Sequence, residues 1–412
     1  MPQSVTRRLI DLILSLLPTP APASSIHPES GGPRAKARRR LRAGLHTNAN
    51  RSARAPGRGG LASVRGMDMR AAVLRGIGDV GLETRKVPEP GPGEVLLKIE
   101  ANTICGTDLR IISGAKTAGV RPGVIMGHEF AGRIAAIGEG VTGYEVGRQA
   151  TCSIVLSCGR CGPCLIGREH LCENLRLIGY EIDGGLADYL LLPTEAVARG
   201  NLVMAPRELA PTLLALAEPL SCVLNGADLV ATRPGDSVVV LGTGPIGLLH
   251  IALAKASGAP RIIGVGRPGR LEPATKAGAT DVIGLEGPEM VAEVKRLLPA
   301  GADVVIVAVG ALELAEYALE IAGIASRVSY FAGFPKGSMA QMDPNLIHYK
   351  EIQVTGGSNA RRSDVRRAVD LLASGSLSVD HIVSHVFPLD SFDEALAAVR
   401  DRAGLKIAVA PR

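Results

Sequence analysis

Four of the seven cysteines in this chain are close enough in sequence to share one metal ion. They follow the pattern C-x2-C-x2-C-x7-C in a glycine-containing loop and are Cys158, Cys161, Cys164 and Cys172. Four thiolates on one tight loop can close a tetrahedral shell around Zn²⁺, and a closed shell of this kind holds a structural metal. The alternatives are two disulfide bonds or free thiols, which such tight clustering disfavours in a chain with intracellular features. The spacing therefore predicts a structural zinc site.

A second set of metal-binding residue types is spread along the chain. Cys105 begins the sequence Cys-Gly-Thr-Asp, His128 and Glu129 follow a glycine, and Glu218 lies in Ala-Glu-Pro-Leu. A thiolate, an imidazole and a carboxylate would leave one position on Zn²⁺ open for water or a substrate oxygen, as a Lewis-acid catalyst requires. Taken singly each residue is weak evidence, because a His-Glu pair is more often a surface or core feature. As a set they suggest a catalytic metal site.

A glycine-rich turn of the form G-x-G-x-x-G follows the apolar residues 238–241 and begins an amphipathic segment, Ile246–Ala256. This motif is common by chance, but a strand before it and a helix after it match the dinucleotide-binding fingerprint. The glycines allow a tight turn and a close approach of the backbone to a pyrophosphate, which then faces the helix N-terminus. The predicted cofactor contacts in the turn are Gly242, Thr243, Gly244, Pro245, Ile246 and Gly247.

The residues after the next predicted strand bear on the choice between NAD(H) and NADP(H). Sites for NAD usually carry an acid there, which accepts hydrogen bonds from the adenine ribose. The strand Arg261–Val265 is instead followed by Gly266 and Arg267. Without a carboxylate there is no repulsion of a 2′-phosphate, and Arg267, helped by Arg270, could pair with it. The sequence therefore favours NADP(H) over NAD(H), the alternative being that both arginines only face solvent.

The candidate ligands and the glycine motif lie in two parts of the chain that differ in their local sequence pattern. Residues 71–200 alternate short β-like runs with Gly and Pro turns, which predicts a small all-β body. After about residue 230, apolar strands are separated by helix-length segments, as βαβ units around a buried parallel sheet require. We also expect a helix over Ser363–Ala373. The predicted strands are Ala71–Leu74, Val95–Ile99, Phe130–Ile137, Ser237–Leu241, Arg261–Val265, Asp303–Val309, Val328–Phe331 and Ile352–Thr355.

Composition limits the class of protein. A chain of 412 residues with 46% hydrophobic residues is long enough for two or three domains and a sizeable core. Fifty glycines and 27 prolines without a Gly-X-Y period fit a turn-rich globular protein rather than a collagenous one. We expect no membrane association, because no apolar run approaches the roughly 18 to 20 residues that span a bilayer.

The positive charge of the chain is concentrated at its N-terminus. Residues 1–66 hold eleven Arg and one Lys against Asp11 and Glu29, a balance of +10. Subtracting this from the net charge of +6 leaves −4 on residues 67–412. We therefore expect no nucleic-acid binding, which would need a basic face on a folded domain.

The composition of residues 1–66 predicts a disordered N-terminal extension, because Pro, Ala, Ser, Gly and Arg without periodicity cannot bury enough surface to fold. A mispredicted start upstream of Met67, or a dispensable tail, explains this segment best. A transit-type leader and an export signal are the alternatives. The export signal is disfavoured because Asp11 interrupts its apolar core and arginines continue far beyond it.

The cysteine loop, the spread ligand set and the glycine motif, in this order, resemble the zinc-dependent medium-chain alcohol dehydrogenase family over residues 67–412. The resemblance implies an α/β fold in which a GroES-like β catalytic domain is combined with a Rossmann domain, a doubly wound parallel sheet that binds the nicotinamide cofactor. It places the catalytic domain at residues 67–218 and 358–412 and the cofactor domain at residues 219–357. It also implies a homodimer or homotetramer, located in the cytoplasm.

The same resemblance suggests roles for individual residues. It assigns Cys105, His128 and Glu129 to the catalytic zinc, while Glu218 would bind the metal or hold its water. Thr107 resembles the family's hydroxyl relay for the substrate proton. The position five after Cys105, often a relay histidine in relatives, is Arg110, which cannot accept a proton. Either water completes the relay, or Arg110 instead contacts an anionic or polyhydroxylated substrate. The nicotinamide half of the cofactor would be lined by Ala308, Gly310 and Phe331.

We therefore expect two Zn²⁺ per chain and hydride transfer between NAD(P) and a small-molecule secondary alcohol, such as a polyol or sugar. The sequence is most similar to the sorbitol and polyol dehydrogenase branch and secondarily to the threonine dehydrogenase branch, whose relay histidine is absent. A sugar phosphate or a simple alcohol is a further alternative substrate. Two other hypotheses remain: a zinc-free quinone or enone reductase, which would not need the ligand set, and a cofactor-binding protein without catalysis.

Overall fold

A computed structural model of the chain describes residues 65–411. The expected disordered extension, residues 1–66, lies outside the described residues except for its last two. The strands of the first β-rich part are β1 (Asp68–Gly76), β2 (Asp79–Lys86), β3 (Val95–Thr103), β4 (Val124–Ile125), β5 (Glu129–Ile137), β6 (Gln149–Cys152), β7 (Val155–Leu156), β8 (Arg176–Leu177), β9 (Tyr189–Leu192) and β10 (Leu202–Met204).

The remaining strands form the parallel sheet and the end of the chain. They are β11 (Ser237–Leu241), β12 (Arg261–Val265), β13 (Asp281–Ile283), β14 (Ala302–Val307), β15 (Ala322–Tyr330), β16 (Gln353–Gly356), β17 (Val383–Pro388) and β18 (Lys406–Ala410). The strands predicted after the β-rich part are all present, and β11 and β12 have the bounds that their apolar runs predicted.

The described helices connect and cover these sheets. They are α1 (Gly106–Ile112), α2 (Gly162–Leu165), α3 (Thr194–Ala198), α4 (Pro211–Ala215), α5 (Ala217–Val230), α6 (Pro245–Ala256), α7 (Leu271–Ala277), α8 (Gly287–Leu297), α9 (Leu312–Ile321), α10 (Pro344–Lys350), α11 (Arg362–Ser374) and α12 (Phe392–Arg400). Short 3₁₀ turns lie at Glu169–Leu171, Pro268–Arg270 and Leu389–Ser391.

The six strands β11 to β16 form one parallel sheet in the order β13-β12-β11-β14-β15-β16. Numbered from β11, this is the order 3-2-1-4-5-6 of dinucleotide-binding folds. Val238, Val239, Val240 and Leu241 are fully buried, as expected for a strand covered by helices on both faces. The strand order reverses between β11 and β14, so a ligand crevice is expected beyond the carboxyl ends of these two strands.

The β-rich part is built on antiparallel pairs, apart from the parallel pair of β17 and β18. Its largest sheet has the order β10-β6-β5-β3-β18-β17, with β9 also paired to β3. A three-stranded sheet, β2-β1-β4, and the small pair β7-β8 complete it. Strand β18, near the end of the chain, pairs with β3, so that Val409 lies opposite Asn102. This pairing brings the last segment of the chain to the start of β5, where His128 and Glu129 lie.

One helical stretch corrects the expectation that no apolar run is long enough to cross a membrane. Residues Pro211–Val230, which comprise α4, Leu216 and α5, form a 20-residue helical stretch in which an 18-residue part has a mean hydropathy of 1.4, so length and composition alone would allow it to span. The physical reason for its apolar character is packing, because 67% of that part is buried inside the protein. It also carries the buried Glu218, so it serves as a core helix beside the candidate site.

Candidate active site

The start of α1 presents Cys105 to a buried pocket. Cys105 is the N-cap of α1, and Asp108, three residues later, accepts a hydrogen bond on Oδ2 from the backbone N–H of Cys105 at 2.8 Å. The other carboxylate oxygen, Oδ1, lies 3.2 Å from Nδ1 of His128. Asp108 and His128 are 1% and 3% exposed. One buried carboxylate therefore orients two candidate ligands that are 23 positions apart in sequence.

The tertiary structure brings three of the four predicted catalytic ligands together. The ligand atoms of Cys105, His128 and Glu129 all lie within 4.8 Å of one another. Gly127 makes this turn possible, since its φ is +95° and a Cβ there would lie 2.6 Å from the backbone nitrogen of Leu186. A thiolate, an imidazole and a carboxylate in one buried cluster are a donor set that fits Zn²⁺.

Glu129 has two buried partners that hold its carboxylate. The ammonium group of Lys406, in β18, lies 2.6 Å from the carboxylate oxygens, and the hydroxyl of Thr103 donates a hydrogen bond to Oε2. Burial acts to lower the pKa of Lys406, but the charges of Glu129 and Cys105 outweigh it and raise the pKa. Lys406 therefore stays cationic, and its charge compensates Glu129 in a site with little access to water.

Glu218 is near this cluster but is not part of the three-residue group. It lies in the first turn of α5, is 9% exposed, and accepts a hydrogen bond from the thiol of Cys222 at 3.6 Å. Burial and the charge of Glu129 raise the pKa of Glu218 to about 7, against the opposing charge of His128. Burial and the charge of Glu129 thus disfavour the charged form of this carboxyl group, and a cation bound nearby would oppose that effect.

The imidazole of His128 is enclosed by charged and aromatic neighbours. Its ring centroid lies 5.1 Å from that of Tyr180, whose pKa is raised by burial. Burial alone would lower the pKa of His128, but Asp108 and Tyr180 outweigh it and raise the pKa above the ordinary value. A metal ligand must be a neutral imidazole, so metal binding at this position would release a proton from His128.

The two other residues predicted near the substrate are on α1. Thr107 is half-buried at the second position of the helix, two residues after Cys105. Arg110 is exposed, and its Nη1 lies 3.6 Å from the point where a side chain of Gly333 would begin. Gly333 follows β15 at the carboxyl end of the parallel sheet. Arg110 therefore approaches the edge of the sheet where the nicotinamide ring is expected.

The cysteine loop has the geometry of a metal shell without any disulfide bond. The sulfurs of Cys158, Cys161, Cys164 and Cys172 all lie within 4.8 Å of one another. The Sγ atoms of Cys161 and Cys164 are 3.4 Å apart and those of Cys161 and Cys172 are 3.8 Å apart. Sulfurs around tetrahedral Zn²⁺ are expected to be about 3.8 Å apart, so the loop fits this ion.

Backbone N–H groups in the same loop donate hydrogen bonds to the cysteine sulfurs. The N–H groups of Cys158 and Asn174 donate to Sγ of Cys172 at 3.2 and 3.3 Å. Backbone N–H groups of Arg160 and Cys161 lower the pKa of Cys158 to about 6. At Cys158 these donors favour the thiolate, the form that binds a metal, whereas burial raises the pKa of Cys164 to about 11.

The glycine motif forms a tight turn between β11 and α6. Gly242 has a φ of +106°, and a Cβ on Gly247 would lie 1.8 Å from the carbonyl oxygen of Gly242. Gly244, the N-cap of α6, has open space where a side chain would be. The hydroxyl of Thr243 is buried and has no hydrogen-bond partner among residues 65–411. This open cradle at a helix N-terminus fits the pyrophosphate of a dinucleotide.

The other predicted cofactor residues lie at the same end of the sheet. Arg267 is exposed and directly follows Gly266. Gly266 packs so close to the hydroxyl of Thr243 that a side chain on Gly266 would collide with it. Ala308 and Gly310 follow β14, and a Cβ on Gly310 would lie 2.4 Å from the carbonyl oxygen of Gly333. The ring of Phe331 packs edge-on against His250, with 4.6 Å between ring centroids.

Sequence reasoning missed two residues of the site. Asp108 could have been identified, because an acid three residues after a helix N-cap commonly accepts a hydrogen bond from the cap backbone. Lys406 carries no local signal, since it is 277 residues from Glu129 and reaches it only through the pairing of β18 with β3.

Family models and known proteins agree with this architecture. Residues 91–201 match the model of the alcohol dehydrogenase GroES-like domain, and residues 245–374 match that of the zinc-binding dehydrogenase. An L-threonine 3-dehydrogenase from Pyrococcus furiosus is 38% identical over 322 residues, which cover 76% of this chain and 90% of that protein.

Solved structures extend the similarity. A zinc-binding dehydrogenase from Sinorhizobium meliloti, bound to NADP, has a TM-score of 0.78 and 33% identity and covers 84% of this chain and 100% of its own. The 2R,3R-butanediol dehydrogenase from Bacillus subtilis has a TM-score of 0.75 and 29% identity over 84% of this chain and 100% of its own. Together with the fold and the two cysteine-containing clusters, these matches place the chain in the zinc-dependent medium-chain alcohol dehydrogenase family, oxidoreductases that act on alcohols.

Proposed function

We propose that the chain oxidises a secondary alcohol of a small polyhydroxylated or otherwise polar molecule with NADP⁺, and reduces the corresponding ketone in the reverse direction. The observation that carries the proposal is the cluster of the half-buried Cys105 with the buried His128 and Glu129, whose ligand atoms lie within 4.8 Å of one another. The cluster belongs to a chain whose parallel sheet has the dinucleotide-binding strand order.

Different residues of the chain would bind the metal, orient its ligands and transfer the substrate proton. Cys105, His128 and Glu129 would hold a catalytic Zn²⁺, with Glu218 as a fourth ligand or as the group that holds water. When bound, zinc supplies a Lewis acid that makes a substrate hydroxyl more acidic, and the nicotinamide ring accepts hydride. Asp108 keeps the His128 ring in place, and the hydroxyl of Thr107 accepts the substrate proton and passes it toward solvent.

A second Zn²⁺ would occupy the cysteine loop as a structural ion. All four ligands come from one loop of fifteen residues, Cys158 to Cys172, and all are sulfurs. Such a closed shell leaves no position for a substrate. We therefore assign two zinc ions per chain, with different roles.

The preference for NADP(H) rests on the residues at the end of β12. No acid is found among the three residues that follow this strand, Gly266, Arg267 and Pro268. A carboxylate there would repel a 2′-phosphate, whereas a guanidinium attracts it. The solved relative from Sinorhizobium meliloti, which is bound to NADP, supports the same preference.

The substrate class follows from chemistry that the named relatives share. L-Threonine and 2R,3R-butanediol, the compounds in the names of two relatives, each carry a secondary alcohol beside a carbon with a second polar group. Polyols and sugars have the same feature. Arg110, an exposed cation near Gly333, adds a donor for hydroxyl or anionic groups of the substrate.

L-Threonine oxidation is the second candidate function, and the 38% identity to a Pyrococcus furiosus L-threonine 3-dehydrogenase favours it. The position five residues after Cys105 argues for the broader proposal, because Arg110 cannot accept the proton that a histidine relay would carry. The two candidates differ in substrate and not in the metal or in the fold.

We further propose a catalytic domain of residues 67–218 and 358–412 and a cofactor domain of residues 219–357. The pairing of β18 with β3 supports joining the last segment to the first. We also propose a homodimer or homotetramer that assembles through the edge of the parallel sheet. Strand β16 forms that edge, and Val354 on it and Tyr349 on α10 are 39% and 78% exposed.

The test measures zinc per chain and nicotinamide reduction by the purified full chain. The substrates are L-threonine, 2R,3R-butanediol, sorbitol, a sugar phosphate and simple alcohols, each with NAD⁺ and NADP⁺. We expect two zinc ions per chain and NADP⁺-linked oxidation of a vicinally substituted secondary alcohol. Zinc-loaded protein that oxidises none of these compounds would contradict the proposal, and faster turnover with NAD⁺ would refute the cofactor preference.

Two cysteine variants distinguish the loss of a catalytic metal ligand from a general effect of cysteine substitution on the protein. Cys105→Ser should retain the fold and one zinc but lose activity by more than about a hundredfold, because the catalytic metal loses a ligand. Cys152→Ser, a buried cysteine of β6 outside both clusters, is the matched control and should keep turnover. Full activity in Cys105→Ser would show that the site is assigned to the wrong residues.

A further inference from the structure

Three arginines meet beyond the carboxyl end of β12. Arg267 is the N-cap and Arg270 the last residue of the 3₁₀ turn that follows this strand. Arg402 comes from the segment that follows α12, far away in sequence. The guanidinium of Arg270 donates from Nη2 to the carbonyl oxygen of Gly404 at 2.6 Å, which ties the turn to the C-terminal segment. The cluster therefore combines residues from two distant parts of the chain.

No carboxylate neutralises these charges within the part of the chain that the structure describes. Neither Arg267 nor Arg402 makes an ion pair or a side-chain hydrogen bond there, and Nη1 of Arg270 is buried without a partner. Burial lowers the pKa of Arg270, and the charges of Arg267 and Arg402 lower it further. Like charges that converge without a counter-ion repel one another, so a bound anion would stabilise this arrangement.

The surroundings identify the chemistry of the anion. Arg267 directly follows Gly266, which packs against Thr243 in the glycine-rich turn, so the cluster borders the dinucleotide cradle. The end of the second strand is where such folds contact the adenine ribose. Three guanidinium groups with several free N–H donors suit a phosphate monoester dianion at this place.

We propose that Arg402 binds the 2′-phosphate of NADP(H) together with Arg267 and Arg270, so that the C-terminal segment forms part of the cofactor site. The inference rests on the proposed preference for NADP(H) and adds a specificity-determining residue outside the parallel-sheet part of the chain. A consequence is that phosphate binding joins two segments that otherwise meet here through the contact of Arg270 with Gly404.

The experiment measures ligand binding by calorimetry on the full, zinc-loaded chain, without turnover. The probes are adenosine 2′,5′-bisphosphate and 5′-AMP, which differ only in the 2′-phosphate. The wild type should bind the bisphosphate more tightly than 5′-AMP. Arg402→Ala should weaken bisphosphate binding by about tenfold and leave 5′-AMP binding unchanged, because it removes one charge-assisted contact to the 2′-phosphate. Arg402→Lys should recover part of the loss.

Arg233→Ala is the matched control, since Arg233 is exposed before the start of β11, at the opposite end of that strand from the glycine turn. It should bind both probes as the wild type does. Wild-type affinity for the bisphosphate in Arg402→Ala would overturn the role of Arg402 alone. A wild type that binds both probes with equal affinity would overturn the NADP(H) preference and the inference together. The proposed zinc-dependent alcohol oxidation does not depend on this result, because the turnover assay tests it separately.

Discussion

At the scale of single residues, Asp108 connects the parts of the catalytic cluster. Its carboxylate holds the backbone of Cys105 with one oxygen and faces the His128 ring with the other. A carboxylate behind a metal-binding imidazole fixes the orientation of the ring and makes it a better donor. We therefore expect Asp108 to act on a bound metal through Cys105 and His128.

Asp108→Asn should lower the zinc affinity of the catalytic site by roughly 10- to 100-fold, because the amide is uncharged and orients His128 less strongly. Competition with a chelator measures this affinity. Asp364→Asn is the matched control, since Asp364 accepts a hydrogen bond from the N-cap backbone of α11 in the same way, at 3.0 Å, and is also fully buried. Equal zinc affinity in wild type and Asp108→Asn would refute this role.

At the scale of elements, we expect the cysteine loop to depend on bound metal for its structure. It contains a single turn of helix, α2, and a short 3₁₀ turn, and Leu165 and Ile166 are each 73% exposed. With so little buried apolar surface, the loop is expected to obtain much of its stability from the proposed zinc ion.

Cys161→Ser should therefore lose one zinc ion per chain and lower the melting temperature by roughly 5 °C or more, because three thiolates bind zinc less tightly than four. Metal analysis and calorimetry measure both effects. Activity below the melting transition should persist, in contrast to Cys105→Ser. A variant with wild-type stability and two zinc ions would disprove the structural role of the loop.

The edge strands of the two large sheets differ in their expected roles. If the chain assembles through β16, Val354→Lys should place a charge in the interface and shift the protein toward the monomer. Light scattering after size-exclusion chromatography measures the molar mass. Val386→Lys is the control on β17, the edge of the large sheet in the β-rich part, where Val386 is 55% exposed. Dissociation by Val386→Lys alone would place the interface at the other sheet.

At the scale of the whole molecule, one buried histidine couples stability to pH. His250, in α6, is 2% exposed, and burial lowers its pKa to about 3. The unfolded chain, in which the pKa is about 6.5, takes up a proton first as the pH falls. Folded-state stability is therefore lost between about pH 6.5 and pH 3.

His250→Gln should remove this contribution, which amounts to about 2 kcal/mol between pH 7 and pH 5. The denaturation midpoint in urea at the two pH values measures it, and the variant should lose less stability on acidification than the wild type. His385→Gln replaces an exposed histidine and should keep the wild-type response. Identical acid sensitivity in wild type and His250→Gln would contradict the argument.

Much of the fold could be predicted because its signals are local. Strands β11 and β12 were recognisable from short apolar runs, and helix α6 from the glycine motif before it. The cysteine loop was equally clear, since its four candidate ligands lie within fifteen residues. Residue types and spacing were sufficient for the family and for the α/β class.

The sequence by itself therefore determined which residue types are present and which segments form strands, helices and glycine turns. Only the tertiary structure decided which side chains meet. Lys406 reaches Glu129 across 277 positions because β18 pairs with β3, and Arg270 reaches the carbonyl oxygen of Gly404 because the last segment packs on the turn after β12. Such contacts depend on strand pairing and packing between distant segments, and no local pattern of residues encodes them.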